Sequence, residues 1–203
     1  MADAARFIQR NLHLSPMPAV PEIRLFRAHP ASGLSRLVGE DGPSPYWAYG
    51  WAGGTVLARY VLDHPQSVRG QKALDLGSGS GVVAIAAAMA GASMVLAADI
   101  DPLALTASRL NAEANGVVVE VVELVSSPPE VDIVLAGDVF YAEDVAARSL
   151  AFLDMCLVAG IEVLVGDPGR AFLPLHRLEV VATYEVPDFG SAELGPAAVY
   201  KFR

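Results

Sequence analysis

The sequence predicts an α/β protein with a mostly parallel sheet whose last strand is antiparallel. Three observations lead to this prediction. After roughly 70 residues, short apolar runs alternate with helical patterns, as they do when helices connect parallel strands. The first of these apolar runs leads directly into a glycine loop, GSGSG. Four of five predicted parallel strands end in an aspartate, at the edge where such sheets bind ligands.

The first element is a predicted helix in MADAARFIQRNLHLSP, whose apolar residues Ala4, Phe7, Ile8 and Leu12 share one helical face. The stretch from Pro16 to Pro45 is predicted to be irregular, with one strand at EIRLFRA, and to form an extension or lid. We therefore expect a single domain over 1–203, with an N-terminal extension and aromatic segment in 1–70 and a Rossmann-like core in 71–203.

The core elements follow from local signals. KALDL (72–76) predicts a strand, VVAIAAAMAGA a helix of small residues, and SMVLAAD (93–99) a second buried strand. Asp101 and Pro102 predict the start of a helix that ends at Asn115 and Gly116. Further strands are predicted at VVVEVVELV, VDIVLAG and IEVLVGD, a helix at EDVAARSLAFLDMCLVAG, and two antiparallel strands at LEVVATYEV and AAVYKF.

Composition excludes several classes of protein. With 14 basic and 23 acidic residues, and a net charge of −9, the chain is predicted not to bind nucleic acid, because phosphate binding needs clustered Lys and Arg. A single cysteine, Cys156, excludes an internal disulfide, and four scattered histidines predict no metal site. The N-terminus lacks a signal-peptide core, and the uncharged run from Val82 to Ala98 is shorter than the ~20 residues of a membrane span. We expect a cytoplasmic protein without a membrane segment.

An aromatic run, PYWAYGWAGG (45–54), holds both tryptophans and two of the six tyrosines. Such rings often serve only to fill a core. Gly53 and Gly54 beside them favour a second interpretation, in which the backbone approaches a ligand closely and the rings form a pocket wall.

The glycine loop is compatible with two cofactors. GSGVVA, with Asp99 about 20 residues beyond it, matches a dinucleotide-binding pattern. DLGSGSG, beginning at Asp75, is the pattern of S-adenosylmethionine-dependent methyltransferases of the seven-strand class. About 70 residues precede the loop strand, whereas a nicotinamide enzyme commonly begins with it, and this favours the methyltransferase.

Six segments together carry a more specific resemblance: PYWAYGWAGGTVLARYVLDHP, ALDLGSGSGVVAIAAAMAGA, AADIDPLAL followed by NAEANG, AGDVFYAED, and VGDPGRAFLP. They resemble the bacterial branch of the electron transfer flavoprotein β-subunit lysine methyltransferases, which are similar to ribosomal protein L11 methyltransferase. The resemblance implies a seven-strand methyltransferase that uses S-adenosyl-L-methionine, releases S-adenosyl-L-homocysteine, and methylates lysines of the flavoprotein β subunit. We also expect a monomer.

The resemblance assigns roles by position. The cofactor-binding set would be Trp51, Asp75, Gly77, Ser78, Gly79, Gly81, Asp99 and Ile100. Asp138 and Tyr141, in DVFY, match a D-x-x-Y motif and would be catalytic. The substrate-binding set would be Trp47, Phe140, Asp167 and Arg170. The segment VVELVSSPPE lacks the expected aspartate near the adenine, so Glu123 receives no role, and FGSAELGPAAVYKF is less charged than expected.

Asp138 is assigned to lysine capture rather than to proton removal, since a carboxylate raises the pKa of a bound ammonium. Tyr141 would position the amine, with a capping aromatic as the alternative. A loop ion pair between Asp167 and Arg170 is as well supported as substrate contact. Arg59 is predicted to be a solvated helix residue. The alternative functions are methylation of a ribosomal protein or of a small, nicotinamide-like amine, a regulatory cofactor-binding module, and a dehydrogenase.

Overall fold

A seven-stranded sheet between two layers of helices organises the chain. A computed structural model describes residues 2–39, 42, 44–123, 127–189 and 193–203. The helices are α1 (Ala2–Asn11), α2 (Ser35–Val38), α3 (Ala52–Asp63), α4 (Val82–Met89), α5 (Pro102–Ala114) and α6 (Glu143–Val158). The strands are β1 (His13–Met17), β2 (Val20–Arg27), β3 (Lys72–Leu76), β4 (Met94–Asp99), β5 (Glu120–Glu123), β6 (Ile133–Gly137), β7 (Glu162–Asp167), β8 (Leu178–Pro187) and β9 (Leu194–Phe202).

The strand order confirms the predicted fold class. The large sheet runs β5-β4-β3-β6-β7-β9-β8, and the pairs among β3 to β7 are parallel. β9 lies antiparallel to both β7 and β8. From β3 the chain moves outward through β4 and β5 and then returns to β6 on the other side. This reversal opens a crevice beyond the carboxyl ends of β3 and β6, where open α/β sheets bind ligands.

Alternating residues of the strands separate the two cores. In β3, Ala73 faces a core shared with α3 and α4, whereas Leu74 and Leu76 face a core shared with α6. The small residues of α4 are almost all buried and allow close packing on the sheet. Cys156 is buried on the α6 side, as its spacing predicts.

The N-terminal extension is more ordered than the sequence predicts. β1 and β2 form an antiparallel hairpin that pairs His13 with Arg27, where only one strand was expected. The turn between the strands places Ala19 at φ 64°, a left-handed conformation that non-glycine residues seldom adopt. HLSPM has neither apolar alternation nor a typical glycine turn, so its sequence gives no strand signal.

Other boundaries differ by a few residues. β5 covers only Glu120–Glu123 of the predicted run VVVEVVELV, and residues 124–126 lie outside the described part. β9 begins at Leu194, three residues before AAVYKF. The prediction for Arg59 is wrong, because its side chain is only 19% exposed. Its guanidinium lies 2.9 Å from Glu22, which joins α3 to β2, and 2.7 Å from Asp63, one turn later in α3.

Candidate active site

The glycine loop leaves β3 and enters α4 through three left-handed residues. Gly77, Gly79 and Gly81 have φ values of 67°, 50° and 79°. Side chains disfavour this region, so alternate glycines allow the tight path. At Gly81 a Cβ would also lie 2.9 Å from Ser108 Oγ. The loop therefore presents mainly backbone to the crevice, as close approach to a ligand requires.

Asp99, at the end of β4, is tied to this loop. Its Oδ2 accepts a hydrogen bond from Gly79 N at 2.8 Å, and its Oδ1 accepts one from Asp101 N at 2.9 Å. Burial raises the pKa of Asp99, against the effect of these hydrogen bonds. Ile100 beside it is 76% exposed. A carboxylate next to an exposed apolar side chain suits a ligand that carries hydroxyls on one part and a flat ring on another.

Two predicted cofactor residues point away from the crevice. Asp75 is buried, and its Oδ2 accepts a hydrogen bond from Ala84 N at 2.9 Å in the first turn of α4. Burial raises its pKa to about 7. Ser78 is also buried, with its Oγ 3.3 Å from Ser108 Oγ. Both side chains hold the loop in place, so they support a ligand site without facing it.

α5 supplies loop supports that sequence reasoning missed. Asn111 Nδ2 donates to Ser80 O at 2.8 Å, while Asn111 Oδ1 accepts from Phe26 N at 2.8 Å in β2. Ser108 Oγ donates to Gly79 O at 3.0 Å. One buried amide thus joins the glycine loop to the N-terminal hairpin. The only sequence signal is a polar residue at a spacing that places it on the buried face of a helix.

Asp138 follows β6 and is held in an unusual conformation. It has φ 54°, and its backbone N donates to Gly166 O at 3.0 Å. Its Oδ2 accepts from Gly54 N at 2.9 Å, and its Oδ1 accepts from Arg170 Nη2 at 3.0 Å. Burial raises the pKa of Asp138 to about 6, although the charge of Arg170 opposes the shift. A strained, buried and oriented carboxylate of this kind is typical of functional sites.

The N-terminus of α3 reaches Asp138 because glycines line its contact with the sheet. A Cβ at Gly53 would overlap Gly166 O and would lie 2.6 Å from Asp138 Oδ2. A Cβ at Gly137 would lie 2.8 Å from Gly54 Cα. The glycines of the aromatic run therefore bring helix backbone against β6 and β7, whereas the sequence suggested approach to a ligand.

Arg170 and Asp167 do not form the expected ion pair. Asp167 Oδ1 accepts from the backbone N of Gly169 at 2.7 Å and of Arg170 at 2.6 Å, so it stabilises the turn after β7. The guanidinium of Arg170 instead lies between Asp138 and Asp188, with Nη2 3.0 Å from an oxygen of each. Asp188, which the sequence did not single out, completes this group.

Five aromatic side chains surround the site and are called the aromatic rim: Tyr46, Tyr49, Trp51, Tyr141 and Phe189. Their ring centroids lie 4.5–5.8 Å apart in successive pairs. Tyr141 is half-exposed, and its pKa is raised by burial and by the nearby Tyr46, Asp144 and Asp99. The rim thus extends from the α3 N-terminus towards the carboxylate of β4.

Two predicted substrate residues are buried instead. Trp47 is 2% exposed and packs with Ile8, Leu12 and Leu110 between α1 and α5. Phe140 is 1% exposed and lies in the core beneath α6. Their rings are therefore unavailable to a substrate in this structure. Asp138 and Tyr141 are the members of DVFY that line the crevice.

The crevice thus has two parts, one around the glycine loop and Asp99, and one around Asp138, Arg170 and the aromatic rim. Within the described ranges, no group of three or more His, Cys, Asp or Glu side chains is arranged so that it could hold a metal ion. No helix in the described part of the chain combines the length and the apolar character needed to cross a membrane.

Comparison with known proteins relates the chain to methyltransferases. The family model for ribosomal protein L11 methyltransferase (PrmA) matches residues 50–140. A Rattus norvegicus protein named electron transfer flavoprotein β-subunit lysine methyltransferase is 44% identical over 153 residues, covering 71% of this chain and 60% of the relative. A Xenopus laevis protein of the same name is 40% identical over 195 residues, covering 90% of this chain and 78% of the relative.

A solved structure supports the fold. A Pyrococcus horikoshii protein described as an RNA methyltransferase superposes with a TM-score of 0.57 at 17% identity, covering 83% of this chain and 96% of that one. At this identity the likeness concerns the fold alone.

Proposed function

This chain belongs to the family of electron transfer flavoprotein β-subunit lysine methyltransferases, and we propose that it methylates lysine side chains of such a β subunit with S-adenosylmethionine as donor. The single observation that carries the proposal is the position of Asp138, a buried and oriented carboxylate at the end of β6, three residues before Tyr141 of the aromatic rim and next to the strand that leads into the glycine loop. A carboxylate and aromatic rings together favour a cationic acceptor.

The residues of the loop fit the proposed donor. Left-handed glycines leave room for its amino-acid end, Asp99 has lone pairs free to accept from ribose hydroxyls, and Ile100 offers apolar surface to the adenine. When bound, S-adenosylmethionine supplies an electrophilic methyl group on a positively charged sulfur. The chain's own residues then have to bind the acceptor, orient it and exclude water.

Asp138 would bind the lysine ammonium, and Tyr141 would orient it from the rim. Removing a proton from lysine at pH 7 costs about 4–5 kcal/mol, given a reference pKa near 10.4. Asp138 alone raises this cost. Exclusion of water by the aromatic rim, together with the positive charge on the sulfur of the donor, must therefore lower it. Neither side chain has to act as a general base, because the proton can leave through water.

The form of the rim favours a lysine carried on a protein. Tyr46 and Tyr141 are half-exposed, so the acceptor part of the crevice opens to the surface instead of enclosing a small amine. The family-model match over 50–140 favours a ribosomal protein as the second candidate substrate. A cytoplasmic location and a monomeric state stay predictions.

The test is methyl transfer from labelled S-adenosylmethionine to purified flavoprotein, to purified ribosomal protein L11, and to a lysate lacking the enzyme, with wild type and Asp138→Ala. Label on the flavoprotein β subunit that is lost in the variant supports the proposal. Label on L11 alone supports the second candidate. Cofactor binding without any label contradicts both and favours a regulatory binding module. Asp154→Ala, in an ion pair on α6, is the matched control.

A further inference from the structure

Arg170 already occupies the carboxylate that the proposed function gives to the lysine. Its Nη2 and Nε donate to Asp138 Oδ1 at 3.0 and 3.2 Å, while the other oxygen of Asp138 accepts from Gly54 N. Both oxygens therefore have partners before any substrate arrives. An incoming ammonium has to share Oδ1 with the guanidinium or replace it.

Asp188 offers the guanidinium a second position. Arg170 Nη2 lies 3.0 Å from Asp188 Oδ2, so the side chain contacts both carboxylates at once. Asp188 is itself fixed, because its Oδ1 accepts from Phe189 N at 2.8 Å and from Ala52 N at 3.2 Å, the first residue of α3. Arg170 can thus leave Asp138 by a small rotation without losing its ion pair.

Charge and burial favour such a transfer. Asp138 is 11% exposed and Asp188 is 34% exposed, so the guanidinium is better hydrated when it pairs with Asp188 alone. The charged neighbours of Asp138 are Arg170, Asp188 and Asp167, and they leave an excess of negative charge. One ammonium at Asp138 would pair with the carboxylate that the guanidinium gives up.

We infer that Arg170 is a displaceable occupant of the lysine site, which pairs with Asp138 in the empty enzyme and passes to Asp188 when the target ammonium binds. Arg170 and Asp188 are then positioning residues: neither has to touch the reacting atoms. The transferred guanidinium remains beside the ammonium and favours loss of its proton by like-charge repulsion. This inference rests on the proposed function, because it takes Asp138 as the lysine site.

The decisive variants are Asp188→Asn and the double variant Arg170→Gln/Asp188→Asn. Asparagine keeps the oxygen that accepts from Phe189 N and Ala52 N but removes the charge that receives Arg170. In Asp188→Asn the guanidinium has Asp138 as its remaining ion-pair partner, so the lysine competes poorly. We expect KM for the flavoprotein to rise about 10-fold or more, the value of a hydrogen bond to a charged group, with little change in cofactor affinity.

The double variant separates displacement from a structural role. Removing the guanidinium removes the competitor of the lysine. We therefore expect KM for the flavoprotein to fall again, to at least about 3-fold below that of Asp188→Asn. The measurement is made at pH 8.5, where Asp138 is ionised. If the guanidinium only stabilises the loop, KM of the double variant should be as high as that of Asp188→Asn, or higher. That result would overturn the inference. Arg177→Gln and Asp154→Asn, a surface ion pair of the same type, are the controls.

A second measurement does not depend on turnover. The Nε resonance of Arg170 in ¹⁵N-labelled protein, assigned by its loss in Arg170→Gln, is followed during titration with n-butylammonium and saturating S-adenosylhomocysteine. We expect a saturable shift in wild type and a strongly reduced one in Asp188→Asn. No shift in wild type overturns the inference. If the shift appears but no flavoprotein is methylated, the proposed substrate fails while the displacement stands.

Discussion

Replacing Gly53 by alanine tests whether the close contact of α3 with the sheet builds the site. A Cβ at this position would overlap Gly166 O and lie 2.6 and 2.7 Å from Asp138 Oδ2 and Cγ. Backbone and a hydrogen-bonded carboxylate cannot yield as a flexible side-chain end does. Overpacking of this kind costs typically about 1–3 kcal/mol.

Gly54→Ala is the matched control. Its Cβ would meet only Val82 Cγ1, at 3.4 Å, which is ordinary contact. Both substitutions lie in the first turn of α3 and gain the same helix propensity, roughly 0.5–1 kcal/mol. The difference between their free energies of unfolding therefore isolates the overpacking cost. We expect Gly53→Ala to be less stable than Gly54→Ala by about 1–3 kcal/mol.

Urea unfolding of the two variants gives this difference in free energy. For a domain of this size it corresponds to a Tm of Gly53→Ala that is roughly 2–12 °C below the Tm of Gly54→Ala. Because Asp138 is the group displaced, kcat/KM of Gly53→Ala should fall as well, while Gly54→Ala should keep most of its activity. Equal stability of the two variants, or a more stable Gly53→Ala, would refute the role given to the glycine contact.

Three further predictions concern the crevice and its supports. Asp99→Asn should weaken S-adenosylhomocysteine about 10- to 100-fold in calorimetry, the value of charge-assisted hydrogen bonds to ribose hydroxyls, and unchanged binding would remove Asp99 from the cofactor site. Asp75 binds its proton more tightly in the folded than in the unfolded chain, so its contribution to stability is full below pH about 4 and lost as pH rises through about 7. Asp75→Asn should therefore flatten the pH dependence of urea unfolding between pH about 4 and about 7, and the same dependence as in wild type would argue against a buried proton. Asn111→Ala should lower the free energy of unfolding by about 2–5 kcal/mol, since Phe26 N and Ser80 O lose their partner, and should also weaken the cofactor. A loss of stability below about 1 kcal/mol would show that water replaces the amide.

The sheet was predictable because its signals are local. KALDL, SMVLAAD and IEVLVGD are apolar runs bounded by polar turns, and each lies within one residue of an observed strand. Asp101 and Pro102 located the start of α5, where Asp101 Oδ1 accepts from Leu103 N at 2.8 Å. Such signals depend only on neighbouring residues, so one sequence suffices to detect them.

The site was predictable in its motifs but not in its pairings. D-x-x-Y and the glycine loop located Asp138, Tyr141 and the turn around Gly79. No local pattern indicates that Asp188 pairs with Arg170, because this ion pair is set by how β8 and the turn after β7 meet in space. The same holds for α3, whose first turn is capped by carboxylates far along the chain, at Asp138 and Asp188, and not by Trp51.

Trp47 and Trp51 give the protein two optical reporters with different surroundings. Trp47 is buried under α1, and its Nε1 has no hydrogen-bond partner in the part of the chain that the structure describes. Trp51 lies in the aromatic rim and donates through Nε1 to Tyr46 O at 2.9 Å. Trp47 should therefore emit at shorter wavelength and resist aqueous quenchers, while Trp51 should respond when the crevice fills. In Trp47→Phe the remaining emission would follow ligand binding at the rim without an added label.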